Sequence, residues 1–255
     1  MDEENRKVLV AAVVVAGVAA GGWYAWKRVD APPAPAPSLS SPAPVPVPAP
    51  PPDLPKLEES DAFVRVASAG LSKDAAVADW LKQEDLLARF VSAASQVSRG
   101  LVPRDGFSAF APRGKFSVVK QDGKTVADPR SWTRYDRAAS AVASVDAAAA
   151  AAVFKRFEPL IQQAYRGLGE GGDARDAVAG AAAELLSADP AAAASPLKQG
   201  KKGITWVYAD ESLESASLAR KQLLRMGPAN ATKVQGKVRE VALALGVPAS
   251  RLEKR

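Results

Sequence analysis

The sequence predicts a mainly α-helical fold: an N-terminal transmembrane helix, a Pro-rich linker, and a helical globular domain carrying a small β-hairpin or sheet. Three observations lead there. An uncharged apolar run opens the chain, a Pro/Ala tract follows it, and most of the remainder repeats its apolar residues at helical spacing. Of the 255 residues 47% are hydrophobic, but much of that share is Ala, which favours helix and buries little area per residue. The core must therefore rest on a modest set of Leu, Val, Phe, Trp and Tyr side chains.

Val8 to Trp26 holds 19 residues without a charge. As a helix at ~1.5 Å per residue it spans about 28 Å, roughly the hydrocarbon core of a bilayer. Gly17 and Ala19 supply small residues for a signal cleavage after the apolar run. The run continues past that point, however, and closes on Trp23, Tyr24 and Trp26 followed by Lys27 and Arg28, an aromatic belt with a basic stop. Asp2, Glu3 and Glu4 also offset Arg6 and Lys7, unlike the uncompensated positive charge that opens an export signal. The expectation is a retained anchor over residues 8–26, preceded by a short cytoplasmic N-terminus (1–7).

The cations flanking that span nearly balance, so orientation rests on what comes next. Ala31 to Pro52 contains 11 Pro in 22 residues, a composition that populates extended polyproline II and reaches about 68 Å at ~3.1 Å per residue. Such a tract (27–56 with its flanks) suits a stalk in a bacterial envelope. The expected location is thus the bacterial inner membrane, single-pass, with the C-terminal domain (57–255) in the periplasm.

Within that domain the elements follow in order. Asp61 to Ala69 and Asp74 to Leu81 read as short helices. In Glu84 to Arg99, Leu86, Leu87, Phe90, Val91, Ala94 and Val97 line one face. "FSVVKQDGKTVAD" places an Asp122-Gly123 turn between two β-favouring runs, the strongest hairpin signal in the chain. Arg134 to Ala143 is helical, and Ala147 to Leu168 follows with Asp146 as N-cap, Gly167 and Gly169 as terminators, and Pro159 as an expected kink. Ala174 to Leu186 and Ser212 to Met226 are further helices. "GITWVYAD" reads as a strand able to pair with the hairpin, and Asp189 to Gly203 as an exposed connection. Ala231, Val234, Val238, Val241, Ala242 and Leu245 form the last stripe.

Function is less legible. Cys and His are both absent, which removes disulfides, thiolate and imidazole metal sites, and every Cys–His or Ser–His–Asp arrangement. No metal or cofactor is expected. The formal charge of +6 is uneven: 18 basic against 19 acidic residues from Asp53 to Leu197, but 12 against 5 from Lys198 to Arg255. A basic segment of this kind attracts nucleic acid, anionic headgroups or acidic protein. The close acidic pairs Glu84/Asp85 and Asp173/Asp176 are explained by helix starts.

Candidate binding residues come from turns and bends. "SRGLVPR" brings Arg99 and Arg104 to a helix end, Gln162, Gln163 and Tyr165 follow Pro159, and "LLRMGPAN" sets Arg225 and Asn230 about a helix–turn–helix. They are taken as surface polar residues beside turns. A nucleic-acid reader would use such basic helices, but side chains for base contact are sparse and an exported domain would not meet a genome. Nucleic acid is accordingly not the expected partner.

Taken together, "DAFVR", "WLKQEDLLARFV", "SRGLVPR", "SWTRYD", "PLIQQAY" and "LLRMGPAN" resemble the bacterial domain of unknown function family 3014 over roughly Asp61 to Leu245. The resemblance implies a shared fold and a single-span envelope location with a Pro-rich stalk, and brings no activity, ligand or catalytic residue with it. The chain departs from the family pattern in its shorter, Gly-rich "GLGEGGDARDAV". The reading is a membrane-anchored, non-enzymatic module that binds an envelope protein or anionic polymer. The alternatives are an envelope-polymer enzyme using carboxylate or Ser–Lys chemistry and, under reversed topology, a cytoplasmic nucleic-acid binder.

Overall fold

The architecture was obtained as a computed structural model, which describes residues 54–103, 110–112, 114–200 and 205–253. The expected span, nearly all of the stalk, and Arg104 lie outside the described residues. Among those described, no single helix is long and apolar enough to cross a membrane.

Nine helices form among the described residues: α1 (Asp61–Ser68), α2 (Ala75–Trp80), α3 (Leu86–Ser98), α4 (Asp136–Ala143), α5 (Ala147–Gly167), α6 (Ala174–Leu186), α7 (Glu211–Glu214), α8 (Leu218–Arg225) and α9 (Pro228–Ala244). The expected helix starts explain several of them. Asp74, Asp146 and Asp173 each stand in extended backbone and accept a bond from the first-turn N–H groups of α2, α5 and α6. α5 ends at Gly167, with Gly169 following at φ 78°, and it runs unbroken through Pro159.

α3 packs most extensively against α6. The physical reason is small side chains: Ala93 and Ala94 on one helix and Ala181 and Ala182 on the other are all buried, and a Cβ added at Gly180 would stand 3.2 Å from the Ser98 Cβ. The Ala content noted in the sequence thus lets helices approach closely. Larger residues fill the gaps between pairs. Phe90 of α3 meets Phe154 of α5 edge-on at 6.0 Å, and Trp80, Phe157, Leu160, Leu185, Leu223 and Met226 are fully enclosed. α9 covers this core by packing on α4, α5 and α6.

Two small two-stranded antiparallel sheets complete the fold. β1 (Val118–Gln121) and β2 (Lys124–Ala127) form the expected hairpin, in register Val118↔Ala127 to Gln121↔Lys124. Its turn residues Asp122 (φ 50°) and Gly123 (φ 75°) are both left-handed, the geometry that matches strand twist in a two-residue loop.

Three expectations are corrected here. The "GITWVYAD" strand, β4 (Trp206–Tyr208), pairs with β3 (Leu197–Gln199) instead of with the hairpin. The stretch expected as an exposed connection supplies β3 and a 3₁₀ turn, Pro190–Ala194, whose Ala193 is buried. The helix expected over Ser212 to Met226 is two helices, because Ser217 leaves helical geometry to accept from the Arg220 N–H and hydrogen-bonds the Glu184 carboxylate, while the Gly100 carbonyl takes the Ala219 N–H.

Candidate functional site

Most motif side chains hold the domain together. In "DAFVR", Asp61 accepts from the Asp85 and Leu86 N–H groups, both at 2.9 Å, and so caps α3 from another helix. Arg65 donates to the Leu81 and Gln83 carbonyls beyond α2. One helix turn therefore clasps the α2–α3 connection at both ends. Asp85 at φ 57° has no side-chain cap of its own.

The expected site residues are scattered. Arg99 pairs with Glu170 at 2.7 Å, and Glu170 also accepts from the buried Ser95 hydroxyl. Gln162 donates to the Gly172 carbonyl and accepts from the Ala174 N–H, both at 2.9 Å, tying α5 to the start of α6. Gln163 is exposed. Tyr165 is buried, and burial above all, with the Glu170 charge behind it, pushes its phenol pKa upward. Asn230, also buried, donates from Nδ2 to the Asp136 Oδ1 (2.8 Å) and to the Trp132 and Met226 carbonyls (3.1 Å each). Tyr165 and Asn230 were taken as surface residues from their place beside turns, and the helices packed over them make them interior ones. Of the two acidic pairs expected at helix starts, Asp173 does cap α6, with Asp176 in its first turn paired to Arg251, whereas Asp85 makes no cap bond and leaves α3 to Asp61.

Asn230 joins "LLRMGPAN" to "SWTRYD", and around that junction the remaining polar groups gather. Gly227, at φ 86°, presses on the Trp132 ring, where a Cβ would come within 2.4 Å. Tyr135 is buried, and its hydroxyl lies 3.4 Å from Arg134 Nη2 and 3.5 Å from Nε2 of the buried Gln222. Arg225 follows Gln222 by three residues on α8 and so shares its face. The Arg225 charge acts on Tyr208 of β4, as does Tyr135. Burial pushes the Tyr208 phenol up to about 12, with Arg225 opposing and Glu214 adding, so the group remains a neutral donor through the physiological range.

Neither guanidinium here forms an ion pair among the described residues, as is also true of Arg156 over the Phe157 ring. Arg65, Arg99, Arg130, Arg175, Arg220 and Arg251 each meet a carboxylate. Arg134 stacks on Phe116 and Tyr135, with centroid distances of 5.7 and 5.1 Å, and donates to the Gly114 carbonyl at 3.3 Å as well as to the Tyr135 hydroxyl. Its buried Nε has no hydrogen-bond partner among the described residues. The neighbouring carboxylates are engaged elsewhere: Asp136 with Asn230, and Glu214 with the Lys221 ammonium and the Tyr208 N–H. Arg134, Tyr135, Tyr208, Gln222 and Arg225 thus form a donor cluster, joined at the Tyr135 hydroxyl and at Tyr208, where the charges of Arg225 and Glu214 oppose each other. Of these, the turn-based reading found Arg225 alone; Arg134 and Tyr135 lay inside a quoted motif, while Gln222 and Tyr208 carried no local signal.

Lys221, the buried lysine among the described residues, points its ammonium at the Glu214 carboxylate (2.9 Å) and carbonyl (2.6 Å), not at a serine. No group of three or more acidic side chains among the described residues could hold a metal ion.

Residues 86–242 match the family described as Protein of unknown function (DUF3014). The chain belongs to the DUF3014 family. Comparisons with curated proteins and with solved structures found no match. The DUF3014 match runs from the first residue of α3 into α9 and encloses the whole donor cluster, so the junction of "SWTRYD" with "LLRMGPAN" lies in the family region. α1 and α2 precede it.

Proposed function

We propose that this DUF3014 protein is a bitopic inner-membrane protein whose helical domain, carried on the Pro-rich stalk, acts in the periplasm as a non-enzymatic binding module for an envelope component. The observation that carries the reading is the division among motif side chains. Asp61, Arg65, Gln162 and Asn230 direct hydrogen bonds to the domain's own backbone, whereas Arg134 and Arg225 form no ion pair among the described residues. Cations left without an ion pair, together with the excess of basic residues from Lys198 onward, favour an acidic partner. The apolar run at 8–26 with its aromatic belt, and the 22-residue Pro-rich tract after it, support the tether.

The test is topological. A compartment-specific reporter fused after Arg255, with fractionation and sizing of the same cells, is expected to give a membrane-bound, full-length protein with an exported C-terminus. A cytoplasmic C-terminus, or a shortened soluble product, overturns the tethered periplasmic reading.

A further inference from the structure

We propose that the outer face of α1 is a docking surface for the chain's own Pro-rich tract, with the Val45–Pro52 end of the stalk folded back along Phe63 and Val66.

The face is apolar without interruption. Ala62, Phe63, Val66, Ala69 and Gly70 are all exposed, and at 100° per residue they fall within one third of the helix circumference. Phe63 is 47% and Val66 80% exposed, whereas Leu101, Phe116, Leu168 and Leu243, the other large apolar side chains exposed among the described residues, come from four separate segments. The face is also held in place. Val64 and Ser68 on the opposite side of α1 are buried, and Asp61 and Arg65 bind backbone of the α2–α3 connection. A rigid apolar stripe left in water favours an occupant.

Size and charge select which one. Two turns of helix present a strip ~12 Å long and about 10 Å wide. That is far short of the ~800 Å² per partner of a stable interface, so the stripe is too small to hold a second copy or another protein by itself. From Lys56 to Asp74 there are three basic and four acidic side chains, which gives an anionic bilayer no electrostatic hold here. A segment already joined to α1 needs neither area nor charge, because its association is intramolecular. The Pro-rich tract meets that condition. It ends at Pro52, and the chain then runs through Leu54 and Leu57, both packed against the core, and a 3₁₀ turn, Leu57–Glu59, directly into α1. Asp53 to Lys56 leaves room for a turn between the two. The tract is uncharged, and its two Val residues, Val45 and Val47, lie in the half next to the domain. In polyproline II, with three residues per turn, Pro44, Val47 and Pro50 share one side, and about five residues at ~3.1 Å each match the length of α1. Such a rod loses little entropy on docking against an aromatic ring. Docking of Val45–Pro52 would leave 14 residues of the 22 free and shorten the stalk's reach from about 68 to about 43 Å.

The experiment uses the absence of cysteine from the chain. Ala49→Cys and Ala69→Cys are introduced together into the full chain in uncharged detergent, and disulfide formation under mild oxidation is followed on non-reducing gels. A predominantly intrachain cross-link is expected. Its rate should fall at least fivefold when Phe63→Ser and Val66→Ser are added, with helical circular dichroism retained because neither side chain is buried. Val45→Asp with Val47→Asp should slow it equally, and leaves the folded domain untouched should the Ser variant fail to fold. A rate unchanged in these variants means chance encounter and overturns the proposal. Mainly interchain cross-links that the Ser variant abolishes place a second copy on the face and overturn it too. So does a nitroxide at Ala62→Cys, in the chain reconstituted into phosphatidylglycerol-containing vesicles, that is relaxed more by oxygen in the hydrocarbon than by a water-soluble nickel complex. The inference does not rest on the periplasmic reading, since the tract and α1 belong to one chain in either compartment.

Discussion

Replacing Asn230 tests whether the junction of the two motifs is a structural joint. Its Nδ2 has two hydrogens and three acceptors in range, at 2.8, 3.1 and 3.1 Å, in a side chain only 5% exposed. Asn230→Ala removes about two net hydrogen bonds at ~1 kcal/mol each and leaves buried carbonyl oxygens with fewer partners, so a loss of about 2–3 kcal/mol is expected. Asn230→Asp is more damaging. The substituted oxygen would face the Trp132 and Met226 carbonyls and the Asp136 carboxylate, turning three attractions into three repulsions, with an expected loss of about 3–5 kcal/mol near neutral pH. The new carboxyl is buried beside another carboxylate, which raises its folded pKa above the unfolded ~3.9. A raised folded pKa means that the folded state binds the extra proton. The deficit of Asn230→Asp therefore grows as pH rises from about 4 to the raised value, and shrinks on acidification. Urea unfolding followed by far-ultraviolet circular dichroism, at pH 7 and near pH 4.5, measures both effects. An Asn230→Ala variant within 0.5 kcal/mol of the parent, a bound set at about half of one net hydrogen bond, or identical pH dependence for the Ala and Asp variants, would refute the reasoning.

Further perturbations read other parts of the fold. Gly227→Ala places a methyl 2.4–2.7 Å from Trp132 atoms at φ 86°, and is expected to cost about 2–4 kcal/mol from backbone strain and overpacking, seen as a lowered urea midpoint. Asp61→Ala removes both caps of α3 and should cost up to about 2 kcal/mol, with hydrogen exchange accelerated first at the Asp85 and Leu86 amides. Asp128 is held at about 2, chiefly by its hydrogen bonds from the Arg130 side chain and then from the Arg130 N–H. Because that lies below the unfolded ~3.9, its contribution to stability is present above that pH and is lost as pH falls through about 2, and Arg130→Ala should move the Asp128 titration upward in a carboxyl-detected NMR experiment. A chain trimmed to residues 86–242 lacks the enclosed Val64, Leu71, Val77, Trp80, Leu245 and Leu252. At ~1.5–3 kcal/mol each, that loss rivals the whole stability of a domain, so no cooperative unfolding transition is expected from that fragment.

The helices were legible where one residue pattern carried both period and boundary. Glu84 to Arg99 and Ala147 to Leu168 show broad apolar stripes, and Asp146 and Gly169 mark the limits of α5 in the amino-acid sequence itself. The hairpin was equally readable, because Asp-Gly supplies two left-handed positions that few other pairs tolerate. What escaped was decided by distant contacts. "LKQ" has no strand signature and becomes β3 only because β4 lies opposite it. The break before α8 depends on Ser217 meeting Glu184 and on the Ala219 N–H meeting the Gly100 carbonyl, 33 and 119 positions away. The donor cluster could not be assembled from spacing at all, since Tyr135 and Gln222 are 87 residues apart and meet across the helical packing. Arg225 was found for its place beside a turn, not for the phenol it acts upon.

The motifs also show why side chains that look functional in a linear reading need to be sorted by what they touch. Asp61 and Arg65 look like a surface ion pair at i,i+4 spacing, yet their separation is 3.5 Å and their shorter bonds all go to backbone of the α2–α3 connection. Gln162 looks like a pocket amide and instead starts α6. Substituting any of these would loosen the helices they join, and so would mimic a contact residue in any binding assay. Arg134 serves assembly too, through the rings of Phe116 and Tyr135 and the Gly114 carbonyl. A loss of affinity at an unchanged unfolding midpoint is therefore what separates ligand contact from assembly, and Asp61, Gly227 and Asn230 are expected to move the midpoint.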